Sequence, residues 1–224
     1  MAAARKNTTA RRIAGARNGK DSGWIRSAAQ VRSLVSPARQ EIIDALDAAG
    51  PCSVSTLAAL IGRAPDGLYF HLRRLEACGL IKECGRTQRG RHSWAMYDVA
   101  ERPVRLDYDS LPPDRVAAVI AAAMRLGVRD FKRAMRKGGV TVRGNDRDLW
   151  GARIKGWITP SNIRRINVLL NALRGLMHNR GPAKGTKAMS ISFVMAPAGL
   201  PDRVANAVKS GNRPTARSAR RLRK

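Results

Sequence analysis

Between Ser36 and Gly79 the sequence starts and stops a helix three times, and spans that short admit little except a compact helical cluster. Ser36-Pro37 is a start signal: Ser can accept from the free amides of a first turn, and Pro already holds the helical φ. Ile42, Ile43, Leu46 and Ala49 follow at helical spacing, and Gly50-Pro51 stops the run. Ser53 caps a second, short helix through Leu57, Leu60 and Ile61, ended by Gly62. Pro65 opens a third, which runs to Ala77 and stops at Gly79. On this third helix Leu68, His71, Leu72 and Leu75 share one face. Asp66, Tyr69, Phe70, Arg73 and Ala77 share the opposite one, with Arg74 at its edge. The first face reads as core, with His71 a structural histidine whose hydrogen bonds are met. The second presents aromatics and arginines that folding alone does not require.

A hairpin signal follows at once. Leu80 to Gly85 and Ser93 to Val99 read as two short strands around the polar tip Arg86 to His92, with Trp94, Met96 and Val99 on one face. Three helices and a basic hairpin make a winged helix-turn-helix. Tyr69, Phe70, Arg73 and Arg74 are then candidate DNA contacts, because Arg can grip guanine edges or phosphate and an aromatic can touch a thymine methyl. Arg86, Arg89 and Arg91 at the tip suit the phosphate backbone or the minor groove.

Charge identifies the class of partner. The 224 residues hold 43 Lys+Arg against 16 Asp+Glu, a formal net charge of +27. That excess favours a polyanion, and double-stranded DNA first. Residues 1–33 and 201–224 each hold eight basic residues and one acid and nearly lack large apolar side chains. They read as disordered basic arms, bounded at 1–24 and 201–224. The Arg-rich, acid-poor N-terminus also has the composition of an organellar transit peptide; the flexible arm is the plainer reading. Residues 34–100 balance eight basic residues with seven acids, and six of the eight lie beyond position 72. Placement, rather than total charge, marks the DNA-facing part.

Other classes fall away. The longest apolar run, Val116 to Met124, is far short of the roughly 20 residues that span a bilayer, so no membrane role is expected. Three cysteines, Cys52, Cys78 and Cys84, do not make a disulfide framework, which points to a reducing cytoplasm and, with DNA as partner, to the nucleoid. There is no phosphate-binding Gly loop, no Gly-x-Ser-x-Gly and no Cys-x-x-Cys. The closely spaced acids Asp107 and Asp109, and Asp146 and Asp148, read as solvated loop residues. No catalytic residue, metal ligand or cofactor is expected. RNA binding would want aromatics on a sheet face, whereas those here lie on a helix.

The second half reads as a dimerisation and effector region. Pro112-Pro113 opens a helix through Val116, Val119, Ile120, Ala123 and Met124, with Gly127 a point for a kink before Phe131 and Met135. Trp150, Ala152, Ile154 and Gly156 alternate with Arg153 and Lys155 as in a strand, and Met189, Ile191, Phe193 and Met195 alternate likewise. Between them Thr159-Pro160 starts a helix over 160–178. Its apolar residues Ile163, Ile166, Leu170, Leu173 and Met177 keep the 3-4-3-4 spacing of a coiled-coil seam. A homodimer interface fits there, because two half-sites need two recognition helices held one helical turn apart. Trp150, Trp157, Phe131, Met177 and Phe193 could line a pocket for a small-molecule effector, whose identity stays open.

The runs Val35 to Ile43, Ser53 to Ala58 and Gly67 to Ile81, above all His71-Leu72-x-x-Leu75-x-x-x-Gly79-Leu80, resemble the ArsR-type winged helix-turn-helix regulators over about 65 residues. That resemblance implies a bacterial or archaeal dimer that binds operator DNA and often releases it when an effector binds. It does not reach the family's metal site, since Val54 to Gly62 lacks the paired cysteines of metal-sensing members. Gly156 to Pro160 with the seam helix resembles a branch with an extra C-terminal region. The fold class expected is mainly α with a β-hairpin wing, a winged helix-turn-helix (25–100) followed by an α+β region (101–200). The expected function is a repressor-like regulator reading a palindromic operator. The alternative is an architectural, nucleoid-type protein with little sequence preference.

Overall fold

The computed structural model describes residues 23–89, 92–177, 181 and 183–197, with only the backbone of Arg89 and His92. Both basic tails beyond these bounds, and Arg91, lie outside the described residues. The chain is mainly helical with a small antiparallel sheet, a winged helix-turn-helix and a further region after it.

Residues 23–33, grouped with the basic arm by composition, are corrected by the structure. They form β1 (Trp24–Ile25) and α1 (Ala28–Leu34). Ser27 and Gln30 form a reciprocal capping box that satisfies two otherwise free amides, and Val31 and Leu34 are buried. α2 (Pro37–Ala49) starts at Pro37 and ends on Gly50, whose φ of 81° favours a residue without Cβ. The two-residue strand β2 (Cys52–Ser53) leads into α3 (Val54–Ile61). There Ser53 Oγ accepts from Thr56 N at 3.2 Å, and Gly62 closes the helix in the left-handed conformation.

The third expected helix is split. Pro65–Leu68 forms a 3-10 turn, and the α-helix proper, α4, covers Tyr69–Ala77. Its core face is as the spacing requires at Leu68, Leu72 and Leu75, all fully buried. These side chains join Ile42, Leu46, Leu57, Ile81 and Val99 in a single core. Such a cluster is the main source of stability, at roughly 1.5–3 kcal/mol for each large aliphatic side chain removed from water.

β3 (Ile81–Arg89) and β4 (His92–Val99) form the wing, and β2 extends it to a three-stranded antiparallel sheet in the order β2-β4-β3. The strands reach further than the pattern suggests, so Arg86 lies within β3 opposite Ala95 and not at the tip. A bulge between Glu83 and Gly85 shifts the register. The expected face of β4 is also corrected: Trp94 is exposed, while Tyr97 and Val99, which alternate with it, pack toward the core. Arg102 anchors the wing's far end, pairing with Asp98 and Asp47 and donating to the Leu46 carbonyl at 2.8 Å.

β5 (Arg105–Leu106) pairs in parallel with β1. Beyond it α5 (Pro113–Lys137) continues as helix through Gly127. Its buried Val116 and Val119 join the core, and Gln40 Nε2 donates to the Val119 carbonyl at 3.0 Å. α6 (Pro160–Leu176) is capped by Thr159, whose side chain accepts from Asn162 N. The alternating segments at 150–156 and 189–195 form no strand. A strand exists only through a ladder, and neither segment finds a partner within the described residues. No helix of the described residues is long and apolar enough to cross a membrane.

Candidate nucleic-acid interface

Burying Leu68, Leu72 and Leu75 forces the other side of α4 outward. Tyr69 is 42% and Phe70 54% exposed, and Arg73 and Arg74 are exposed beside them. Phe70 and Arg74, four residues apart, form one stripe. The Arg74 guanidinium lies 5.4 Å from the Phe70 ring centre, a cation–π pair that holds both side chains out from the helix. Arg73, in the middle of the face, is exposed and donates from Nε to the Tyr69 carbonyl at 3.4 Å. The structure thus brings Tyr69, Phe70, Arg73 and Arg74 together on a helix about 14 Å long, a length that fits a major groove.

The wing residues do not group in the same way. Arg86 is engaged on its own hairpin: Nε donates to Ser93 Oγ at 2.9 Å, Nη2 to the Ser93 carbonyl at 3.2 Å, and Nη1 lies 3.6 Å from Glu83. Arg89 is the last paired residue of β3, opposite His92. Arg91 falls outside the described residues.

Two basic residues missed in the sequence stand next to α4. A shallow groove is lined by Arg32, Ser33 and Arg39 on one side and by Phe70, Arg74 and Cys78 on the other. Arg39 is fixed there by donating to the carbonyls of Ser33 (2.7 Å) and Arg32 (3.3 Å). Arg32 is exposed on α1. The capping-box spacing Ser27-x-x-Gln30 is the signal that could have placed Arg32 on a helix.

His71 departs from the expected satisfied histidine. Its ring stands edge-on to Phe70 at 5.6 Å, and its buried Nδ1 has no hydrogen-bond partner. Burial, and then the charges of Arg39 and Arg63, hold its pKa below the ordinary value, so the ring is neutral at pH 7.

The turn before α4 is held from behind. The buried Glu41 of α2 accepts from Arg63 Nη2 (3.0 Å) in that turn and from Arg129 Nη2 (2.6 Å) on α5. Burial alone would push the Glu41 carboxyl up. The hydrogen bonds and charges of Arg129 and Arg63 outweigh it and hold the group below the usual carboxylate range.

The seam residues lie on one side of α6, but no residue of that helix is buried. Ile166, Leu170 and Leu173 are half-buried, and Ile163 and Met177 are exposed. Trp150, Trp157, Phe131, Met177 and Phe193, expected to line a pocket, are all exposed. A groove of about 370 Å³ lies instead between α5 and the 194–195 segment, lined by Tyr108, Pro113, Val116, Ala117, Ile120, Val194 and Met195. Two of the four acids read as solvated, Asp107 and Asp148, are engaged. Asp107 pairs with Arg26 at 2.9 Å and accepts from two amides of its own turn, and Asp148 pairs with Lys187.

Residues 34–84 match a family model described as a helix-turn-helix domain. Among solved structures, the YusO protein from Bacillus subtilis is 14% identical, over 66% of this chain and 79% of that one, with a TM-score of 0.28. Lactococcus lactis ZitR is 14% identical, over 65% and 84%, with a TM-score of 0.26. RV1404 from Mycobacterium tuberculosis is 15% identical, over 66% and 82%, with a TM-score of 0.26. No curated protein matches the chain. With the helix-turn-helix match and its wing, the segment is an ArsR-like winged helix-turn-helix, a DNA-binding module of transcription regulation.

Proposed function

We propose that this chain is a sequence-specific, repressor-like transcription regulator that binds a palindromic operator as a homodimer. The observation that carries the reading is the two-sided α4, with one face fully buried and the other exposing Tyr69, Phe70, Arg73 and Arg74. Arg73, at the centre of the face, reads a base edge. Phe70 and Tyr69 meet thymine methyls, and Arg74 and the wing residues Arg89 and Arg91 meet phosphates. Arg86 acts mainly through the hairpin, since Ser93 and Glu83 hold its guanidinium.

The seam Ile163, Ile166, Leu170, Leu173 and Met177 joins two copies and sets the spacing of the two α4 helices. The winged domain takes residues 25–100 and the dimerisation region 101–200, and the basic tails add phosphate affinity without sequence preference. The apolar groove along α5 is the place for a small effector.

The net charge of +27 also fits an architectural protein that binds any duplex. Selection of bound sequences from random DNA, followed by competition with random duplex, separates the two. A recovered inverted repeat that outcompetes random duplex supports the regulator. Binding with no enriched motif supports the architectural protein.

A further inference from the structure

The groove shared by α1, α2 and α4 holds more positive charge than its surroundings balance. Arg32 of α1, Arg39 of α2 and Arg74 of α4 all line it. Among the described residues none of these three pairs with a carboxylate, whereas Arg26, Arg63, Arg102 and Arg129 each do.

Helix ends account for part of this charge. The carboxyl ends of α1 and α4 border the groove at Ser33 and Cys78. The free carbonyls of a helix end amount to about half a negative charge, so two ends offset roughly one guanidinium. Arg39 takes that role at α1, donating to the carbonyls of Ser33 at 2.7 Å and Arg32 at 3.3 Å. Those bonds fix its plane and leave further N–H donors of the same guanidinium unused. Arg74 is held by the Phe70 ring at 5.4 Å, a contact that positions the cation without neutralising it. Arg32 is exposed on the opposite wall. The groove therefore keeps a surplus of positive charge.

The lining names the class of ligand that would balance it. Guanidiniums that arrive from three helices cannot all grip one planar carboxylate. The oxygens of a phosphate point to several sides and suit bidentate arginines. Ser33, only 8% exposed, adds a hydroxyl that accepts from Cys78 Sγ at 3.5 Å and keeps a proton to donate. Ala29 and Ala77 are too small to fill the space between the arginines, and the groove has a volume of about 350 Å³.

We propose that this groove seats one phosphate group, gripped by Arg32, Arg39 and Arg74. Its source is a backbone phosphate of duplex lying against α4 or a free phosphate. The first rests on the DNA-binding reading above, and the second is independent of it.

Cys78 lines the same groove and reports its occupancy, while the exposed Cys84 on β3 is the control. The full chain is treated with N-ethylmaleimide, and the alkylation rate of each cysteine is read by mass spectrometry of its peptide. One arm adds inorganic phosphate, compared with chloride at equal ionic strength, and the other adds random duplex. Phosphate should slow Cys78 roughly tenfold at about ten times its dissociation constant, with Cys84 unchanged. Arg39→Ala would also uncap α1, so the comparison uses the paired variant Arg32→Ala with Arg74→Ala, both exposed. It should abolish protection with unchanged helical circular dichroism, the duplex arm being compared at equal bound fraction. Protection by duplex alone assigns the seat to the DNA backbone, and protection by phosphate assigns it to a free phosphate as well. Protection by neither, or protection that survives in the paired variant, would overturn the proposal. If phosphate protects Cys78 while the chain binds no duplex, the DNA-binding reading fails and the seat stands. If duplex binds and neither probe protects Cys78, the DNA-binding reading stands and the seat falls.

Discussion

Arg129 on α5 donates to Glu41 Oε1 at 2.6 Å while Arg63, in the turn that leads into α4, donates to Oε2 of the same carboxylate at 3.0 Å. One buried acid therefore links the helix behind the domain to the turn that aims the DNA-facing helix. Removing its charge leaves two guanidiniums facing each other. Glu41→Gln is expected to cost about 1–3 kcal/mol in urea unfolding, less than a fully buried pair because both arginines are partly exposed.

The same carboxylate sets a pH response. Its folded pKa lies below its ordinary value of 4.5, so its stabilisation is fully present above that pH and is lost as pH falls through the folded value. Acid titration of the wild type should show stability declining below about pH 4.5. Glu41→Gln, which has no proton to take up there, should decline less steeply over that range.

Gly127 gives a second test of packing. Alanine in a helix interior normally gains up to about 1 kcal/mol over glycine. Here the new methyl would meet Ser192 Oγ at 2.5 Å and Ser192 Cβ at 2.8 Å. Gly127→Ala alone should therefore bring no gain. In a Ser192→Gly background the same change should stabilise by roughly 0.5–1 kcal/mol, a coupling read by a double-mutant cycle.

Arg32, on α1 at the edge of the groove that borders α4, stands beside the DNA-facing helix and not on it, so the proposed binding mode gives it a phosphate. Arg32→Ala should weaken binding to all duplexes about equally and lower the slope of log affinity against log salt by about one. An unchanged slope would remove Arg32 from the interface.

Much of the helical core was legible because caps are local chemistry. Ser53, Gly62, Gly79 and Thr159 mark their helix ends by hydrogen-bonding capacity or φ freedom that neighbouring residues alone decide. α1 carried an equally local signal, Ser27-x-x-Gln30, masked by the surrounding positive charge. The parallel pair β1–β5 had no such signal, since two residues on each side pair across some eighty positions of sequence. The wing's face was misread because Val99 was grouped with Trp94 and Met96, whereas strict alternation along β4 puts it with Tyr97 on the opposite face. At 189–195 alternation revealed two faces but not the partner.

The account's central claim is that the exposed face of α4 reads bases, with Arg73 at its centre. It is tested most directly by measuring the affinity of wild type and Arg73→Ala for a selected operator, for every single-base variant of one half-site, and for random duplex. The account predicts a loss of ~1–3 kcal/mol on the operator, relaxed preference at one position per half-site, and little change on random duplex. Equal losses on operator and random duplex, or none on either, would contradict it.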